Sequence, residues 1–174
     1  MRTVILPDPP PVEFAEMLER RRQAGADRHD EVWEGVLHMA PAPHFRHADL
    51  QAQLMGLLGP PARAASLRLG ADFNLGDPDD YRVPDGGLLQ PGPAQLYAPT
   101  AKLVLEIISP GDETFSKLPF YATHEVEELL IVDPEDRIVH WLALDAGEYR
   151  PVQRSRVIDL GAEELAGRIA WPDC

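Results

Sequence analysis

A glutamate inside an apolar run is the first residue whose chemistry needs an explanation. Residues 103–109 read LVLEIIS, and Glu106 is the one ionisable group among them. Burying an unpaired carboxylate there costs several kcal/mol, so something must compensate the charge. A lysine or arginine would do so as a salt bridge. A hard divalent cation, which favours converging carboxylates, would do so as a reactive centre. Asp85 is the natural second ligand. It lies in Val83-Pro84-Asp85-Gly86-Gly87, where the proline fixes the approach and the glycines let another group come close. Alone it would read as a turn aspartate. The offset of 21 positions between the two acids (106 − 85) leaves room for a loop returning to a neighbouring strand. Lys117 follows Glu106 by 11 residues (117 − 106), and only Lys102 and Lys117 are lysines in the chain. A compact ammonium suits a reacting phosphate or an attacking water better than a spread guanidinium does.

The elements that must hold these groups can be read from periodicity. Residues 102–109 predict a central strand covered on both faces, with Val104, Glu106 and Ile108 on one side and Leu103, Leu105 and Ile107 on the other. A helix over 117–125 follows, with Pro119 in its first turn, where a missing N–H costs least. Lys117 at its start could then reach back over the strand end. Upstream, a short amphipathic helix is predicted from residue 12 to about 24, and a strand over 31–40. A second helix over 45–58 is predicted to stop at Gly59-Pro60-Pro61. One or two strands fall within 66–75, a polar loop at 76–80, and a strand at 82–89. Further strands are read at 129–132 and 138–144, joined by the turn Asp133-Pro134-Glu135-Asp136. Strand plus loop are read over 148–160, with a helical turn at 162–166. The strand–helix–strand order around Glu106 predicts an α/β or mixed (α+β) sheet in one domain spanning residues 1–174. His47 falls on the apolar side of the second helix, as a core histidine or as a partner for the acids. Glu31 and Glu34 flank Trp33 on opposite strand faces, so at most one of them points at the site.

Composition narrows the rest. The 174 residues suffice for one core. No apolar run of about 18 residues exists to span a membrane, and the N-terminus lacks a secretory pattern. One cysteine, Cys174, allows no intrachain disulfide and no cysteine cluster, which suits a reducing cytoplasm; the expected thiol is inert. There is no GxSxG, P-loop or GxGxxG, which leaves serine-hydrolase and nucleotide-binding readings unsupported. The net charge of −13 works against a nucleic-acid partner, because phosphate neutralisation by basic side chains drives that affinity. The stretch 138–144, with His140 and Trp141, fits an edge or an interface, and a homodimer is the assembly it would make.

Taken in order, Glu31-Val-Trp-Glu34-Gly35, Pro41-Ala-Pro-His44-Phe-Arg-His47, Val83-Pro84-Asp85, Leu105-Glu106-Ile-Ile-Ser109-Pro110, Lys117-Leu-Pro-Phe-Tyr121 and Glu128-Leu-Leu-Ile-Val-Asp133-Pro134 resemble the Uma-type putative restriction endonucleases of the PD-(D/E)XK nuclease superfamily. The resemblance covers roughly residues 12–148. It implies a central mixed sheet flanked by helices, with the acids at strand ends. It implies that Asp85 is the aspartate of the PD half, Glu106 the acid of the second half, and Lys117 a lysine carried on the following helix. Glu31 and His47 match polar positions of the family. Three departures stand out: Ile108 occupies the position two beyond Glu106 where the superfamily places its lysine, the loop between Ser109 and Lys117 is shorter than usual for the family, and position 34 holds glutamate where the family more often has aspartate. Lys117 is thereby decisive.

The expected reaction is phosphodiester hydrolysis, with Mg²⁺ or Mn²⁺ held by Asp85, Glu106 and the backbone carbonyl of Ile107. Two other classes stay open at this level. One is a non-catalytic binding or regulatory module on the same fold, which the acidic charge favours. The other is a carboxylate pair acting on a glycosidic bond.

Overall fold

The computed structural model describes residues 11–40, 43–109, 111 and 113–172. Cys174 and most of the Pro9–Pro11 run lie outside them. In order along the chain are α1 (Val12–Gln23), β1 (Glu31–Trp33), β2 (Val36–His38), α2 (Phe45–Ala64), β3 (Arg68–Gly70), β4 (Asn74–Asp77), β5 (Asp80–Arg82), β6 (Gly86–Leu89), β7 (Tyr97–Ala98) and β8 (Leu103–Ile107). A 3₁₀ turn (Thr114–Lys117) leads into α3 (Leu118–Thr123), followed by β9 (Glu128–Asp133), β10 (Ile138–Asp145), β11 (Glu148–Pro151) and α4 (Ala162–Ala166).

The strands form two sheets. The larger runs β11-β10-β9-β8-β6-β3, antiparallel throughout except for the parallel β8–β9 pair. The smaller runs β2-β1-β5-β4-β7. All five residues of β8 are buried, as its near-continuous apolar sequence requires for a strand covered on both faces. Alternation sorts them: Leu103, Leu105 and Ile107 pack with Leu50, Leu54 and Leu58 of α2. Val104 packs on the other face with Leu75, Phe120, Tyr121 and Ile131. The charged side chain of Glu106 therefore leaves the sheet on the α3 side.

Several sequence expectations need correction. The strand read over 31–40 is a two-stranded hairpin with Glu34 and Gly35 at its tip, at φ 50° and 82°. Two consecutive positive φ values suit a tight hairpin turn, and glycine supplies the second without steric cost. Glu34 is in that turn and exposed, so it is not on a strand face. The polar loop at 76–80 is also a hairpin, formed by β4 and β5. The strand at 82–89 is broken at Val83-Pro84-Asp85, where the chain leaves the small sheet for the large one.

Helix α2 does not stop at Gly59-Pro60-Pro61 but runs on to Ala64. Each internal proline removes an N–H from the helix ladder, at about 3 kcal/mol. Leu58, Gly59 and Ala62 are all buried, so tertiary packing against the large sheet outweighs the local preference. The stretch 138–144 is an edge only in part: Leu142 and Ala143 pair with β11 as well as β9, while Ile138 to His140 pair with β9 alone. Trp141 is 1% exposed, so it offers no surface for a dimer.

Trp141 and β9 share a buried carboxylate that the sequence reading passed over. Glu128 is 1% exposed. It accepts from Trp141 Nε1 at 2.8 Å, Ser155 Oγ at 2.5 Å and the Arg156 N–H at 2.6 Å. Glu128→Leu is expected to leave these donors without an acceptor and to cost about 3 kcal/mol or more. A lowered urea midpoint at unchanged slope checks this.

Candidate active site

The site lies at the seam between the sheets. Glu31 comes from β1 of the small sheet and Glu106 from β8 of the large one, while Asp85 sits in the link between them. Close packing at that link is enforced by Gly87, where a Cβ would fall 2.6 Å from the Leu103 carbonyl oxygen and 2.9 Å from the Phe73 ring. Asp85 is thus held against the end of β8. Its Oδ2 accepts from the Ile107 N–H at 2.7 Å, which places the two acids one residue apart across a single hydrogen bond. In a strand the N–H and C=O of one residue point to the same side, so the Ile107 carbonyl is also turned toward Asp85.

His47 is in the first turn of α2, which His44 caps by accepting from the Arg46 N–H. Its Nε2 lies 2.8 Å from Asp85 Oδ1, and its Nδ1 lies 3.2 Å from Ser109 Oγ. Gln51, one turn further along α2, donates to the Asp85 carbonyl at 2.7 Å. Asp85 is thereby fixed from both ends, side chain and main chain.

Lys117 reaches back from the end of the 3₁₀ turn. Its Nζ donates to Glu106 Oε1 at 3.0 Å and to Glu31 Oε1 at 2.9 Å. All three residues are buried. Glu31 Oε1 also accepts from the Val83 N–H at 2.9 Å, and its Oε2 accepts from Trp33 Nε1 at 2.7 Å. Both oxygens of Glu31 are therefore committed. Tyr121, four residues after Lys117 and fully buried, donates to Glu106 Oε1 as well.

Charge states follow from this burial. Desolvation pushes the Glu106 carboxyl up to about 7, and the charges of Asp85 and Glu31 push the same way. Lys117 and Tyr121 oppose the rise. Burial alone would lower the Lys117 ammonium, but the carboxylates of Glu106 and Glu31 raise it above its ordinary value. Lys117 is held as a cation and is unsuited to act as a base. The Tyr121 phenol is raised well above its ordinary value, first by burial and then by Glu106, so it stays a hydrogen-bond donor.

Asp85, Glu106, Lys117, His47 and Glu31 are thus brought together, and Glu34 is not. Tyr121, Trp33, Gln51 and Ser109 carry no site role in the sequence reading. For three of them the signal was spacing: Tyr121 is one helical turn past Lys117, Trp33 is on the same strand face as Glu31, and Gln51 is one turn past His47.

A divalent cation can be tested against this donor set. Among the described residues no group of three or more His, Cys, Asp or Glu is arranged to hold one. Asp85, Glu106 and the Ile107 carbonyl nevertheless supply only hard oxygen atoms. No hydrogen bond to Glu106 Oε2 is found among the described residues. Two carboxylates with solvent completing the shell suit Mg²⁺, which keeps several of its waters. The donor chemistry fits.

Residues 12–166 match the family model described as Uma2, putative restriction endonuclease. No curated protein matches the chain. Among solved structures the chain is similar to a putative nuclease belonging to DUF820 from Anabaena variabilis ATCC 29413. The TM-score is 0.66 at 16% identity, covering 80% of this chain and 90% of that one. That likeness bears on the fold, which is restriction-endonuclease-like: a mixed sheet with flanking helices. A DrdV–DNA complex is a more distant match, with a TM-score of 0.41 at 17% identity, covering 89% of this chain and 12% of that one. No helix among the described residues is long and apolar enough to cross a membrane. With 155 of its 174 residues (12 to 166) spanned by one family model, the chain belongs to the Uma2 family of putative restriction endonucleases.

Proposed function

We propose that the chain hydrolyses phosphodiester bonds of nucleic acid with Mg²⁺ or Mn²⁺ held by Asp85, Glu106 and the Ile107 carbonyl. One observation carries this: Asp85 meets the end of β8 at the Ile107 N–H, beside Glu106, while Lys117 shares the Glu106 carboxylate. When bound, a divalent ion supplies Lewis acidity that polarises a phosphoryl oxygen and makes water a better nucleophile. The residues of the chain do the rest. Lys117, charged and buried, orients an attacking water by donating to it and stabilises negative charge developing on the phosphate. Glu31 positions Lys117. His47 holds the Asp85 carboxylate and is itself oriented by Ser109.

The test is cleavage of labelled single- and double-stranded DNA and RNA with Mg²⁺, Mn²⁺ or EDTA, by wild type and Glu106→Gln. Cleavage that needs the cation and is lost in the variant supports the reading. Equal activity of the two proteins would sink it. A non-catalytic module on the same fold is favoured by the net charge of −13. Calorimetric titration separates the two, since that reading predicts no Mn²⁺ binding dependent on Asp85 and Glu106.

The raised Glu106 carboxyl gives the binding a pH dependence. Burial holds it at about 7, so below that value a proton occupies the group a cation needs. Mn²⁺ affinity is expected to be roughly tenfold weaker at pH 6 than at pH 8, with about one proton released per ion at the lower pH. Titration in buffers of different ionisation enthalpy measures both. A flat affinity over that range would remove Glu106 from the ligand set.

A further inference from the structure

Resting on the nuclease reading, we infer that Tyr121 is a positioning residue of the site, which selects the oxygen of Glu106 left to a cation. The two carboxylates on Lys117 differ in one respect. Glu31 has both oxygens engaged, Oε1 by Lys117 and the Val83 N–H and Oε2 by Trp33. Among the described residues Glu106 has two side-chain donors, Lys117 and Tyr121, and both are on Oε1.

This asymmetry follows from the helix. Lys117 and Tyr121 stand four residues apart across the start of α3, so both approach Glu106 from the same side. A lysine alone would not fix the carboxylate, because an ammonium on a flexible stem can donate to either oxygen. The phenol cannot follow such a rotation. Tyr121 is 0% exposed and packs with Val104, Phe120, Leu129 and Ile131 in the core beneath α3. Its ring is set by that packing, so its O–H defines one direction. The carboxylate turns Oε1 to it, and Oε2 remains for a ligand outside the triad. Residues that orient a metal-binding carboxylate through hydrogen bonds typically affect metal affinity or activity by about 10–100-fold.

The experiment compares Tyr121→Phe with Tyr149→Phe in the full chain. Tyr149 packs against the same core cluster and also donates a hydrogen bond, to the Val126 carbonyl at 2.8 Å, but among the described residues it makes none to Glu106, Lys117, Glu31 or Asp85. Both variants lose one phenol hydroxyl, so a purely structural role predicts similar behaviour. Mn²⁺ affinity by calorimetry is expected to weaken about 10–100-fold in Tyr121→Phe and to stay within about twofold of wild type in Tyr149→Phe. In cleavage assays kcat should fall for Tyr121→Phe with KM for nucleic acid unchanged. Wild-type affinity in Tyr121→Phe, or equal weakening in both variants, overturns the inference. If wild type itself binds no Mn²⁺ that Asp85→Asn removes, the nuclease reading fails and takes the inference with it. Should Tyr121→Phe not fold, wild type supplies the readout. Mn²⁺ is then expected to perturb a tyrosine absorption band, and Asp85→Asn to abolish the change. No perturbation on saturation would overturn the positioning role.

Discussion

Asp85→Asn is expected to lower metal-dependent cleavage by roughly 10³-fold while leaving the fold intact. The charge that attracts the cation disappears, and an amide offers one acceptor where the carboxylate offers two. The lost contacts are few. The amide oxygen can still accept from the Ile107 N–H, which now lies 2.7 Å from Oδ2. The NH₂ group then faces His47 Nε2, now 2.8 Å from Oδ1, and requires that nitrogen to be an acceptor. The histidine can oblige by carrying its proton on Nδ1, toward Ser109. Stability should therefore change by no more than about 1 kcal/mol. Cleavage assays with Mg²⁺ and a chemical denaturation curve read the two parts separately. A fully active variant would remove Asp85 from the reaction; an unfolded one would make it a structural residue.

Lys117→Met carries the largest expected effect on stability. Methionine fills the space of the alkyl chain but leaves Glu31 and Glu106 buried together without the cation between them. Breaking a buried ion pair by removing one partner costs about 3–5 kcal/mol. The loss has a pH signature whose sign can be worked out. Glu106 is already raised to about 7 with Lys117 present, and removing an opposing cation raises it further. A carboxyl raised on folding contributes stability that is present below its unfolded value, near 4.5, and lost as pH rises through its folded value. The deficit of Lys117→Met relative to wild type should thus be greatest above pH 7, shrink as pH falls to about 7, and level off below it, where both proteins hold the proton on Glu106. Adding Glu106→Gln to Lys117→Met should recover most of it, since the amide oxygen can still accept from Tyr121. Denaturation midpoints of the three proteins across pH 5–8.5 decide the matter. A deficit that grows toward acid pH would contradict the assignment of Lys117 as the counter-charge.

The parts of this site that could be read in the sequence are those where one residue contradicts its surroundings. Glu106 in an apolar strand demanded a cation, and Lys117 supplies it. The alternation in β8 sorted its side chains onto the two faces that pack against α2 and α3. Asp85 was legible through its proline and glycines. Salt bridge and metal appeared as alternatives for Glu106; in the fold the ion pair uses one oxygen and the proposal for a cation needs only the other.

What escaped depended on distant parts of the chain. The turn at Glu34-Gly35 gives no alternation break, because Val32, Trp33, Val36 and Leu37 read on as one strand. Its glutamate at φ 50° is a conformation that local preference disfavours. The prolines in α2 are a stop signal in isolation and are overridden only by the sheet beneath Leu58 and Ala62. Tyr121 reads as a core aromatic, which it is; its hydroxyl became visible only once α3 was placed over Glu106. Glu128 was hidden likewise, since its three donors come from β10 and from residues 155 and 156.

The ion triad at the seam has a consequence for how the protein is made. Glu31 and Lys117 are 86 residues apart in the chain. At about 5–20 residues per second, the ribosome needs roughly 4–17 s to deliver the lysine after the glutamate. Through that interval the β1–β2 hairpin carries a carboxylate that cannot be buried, so the small sheet has no reason to close on the large one. Closure waits for the segment that brings Lys117 and Tyr121. A nascent or truncated chain ending before that segment therefore holds Asp85 and Glu106 without the frame that joins them, and such a fragment should be both unfolded and inert.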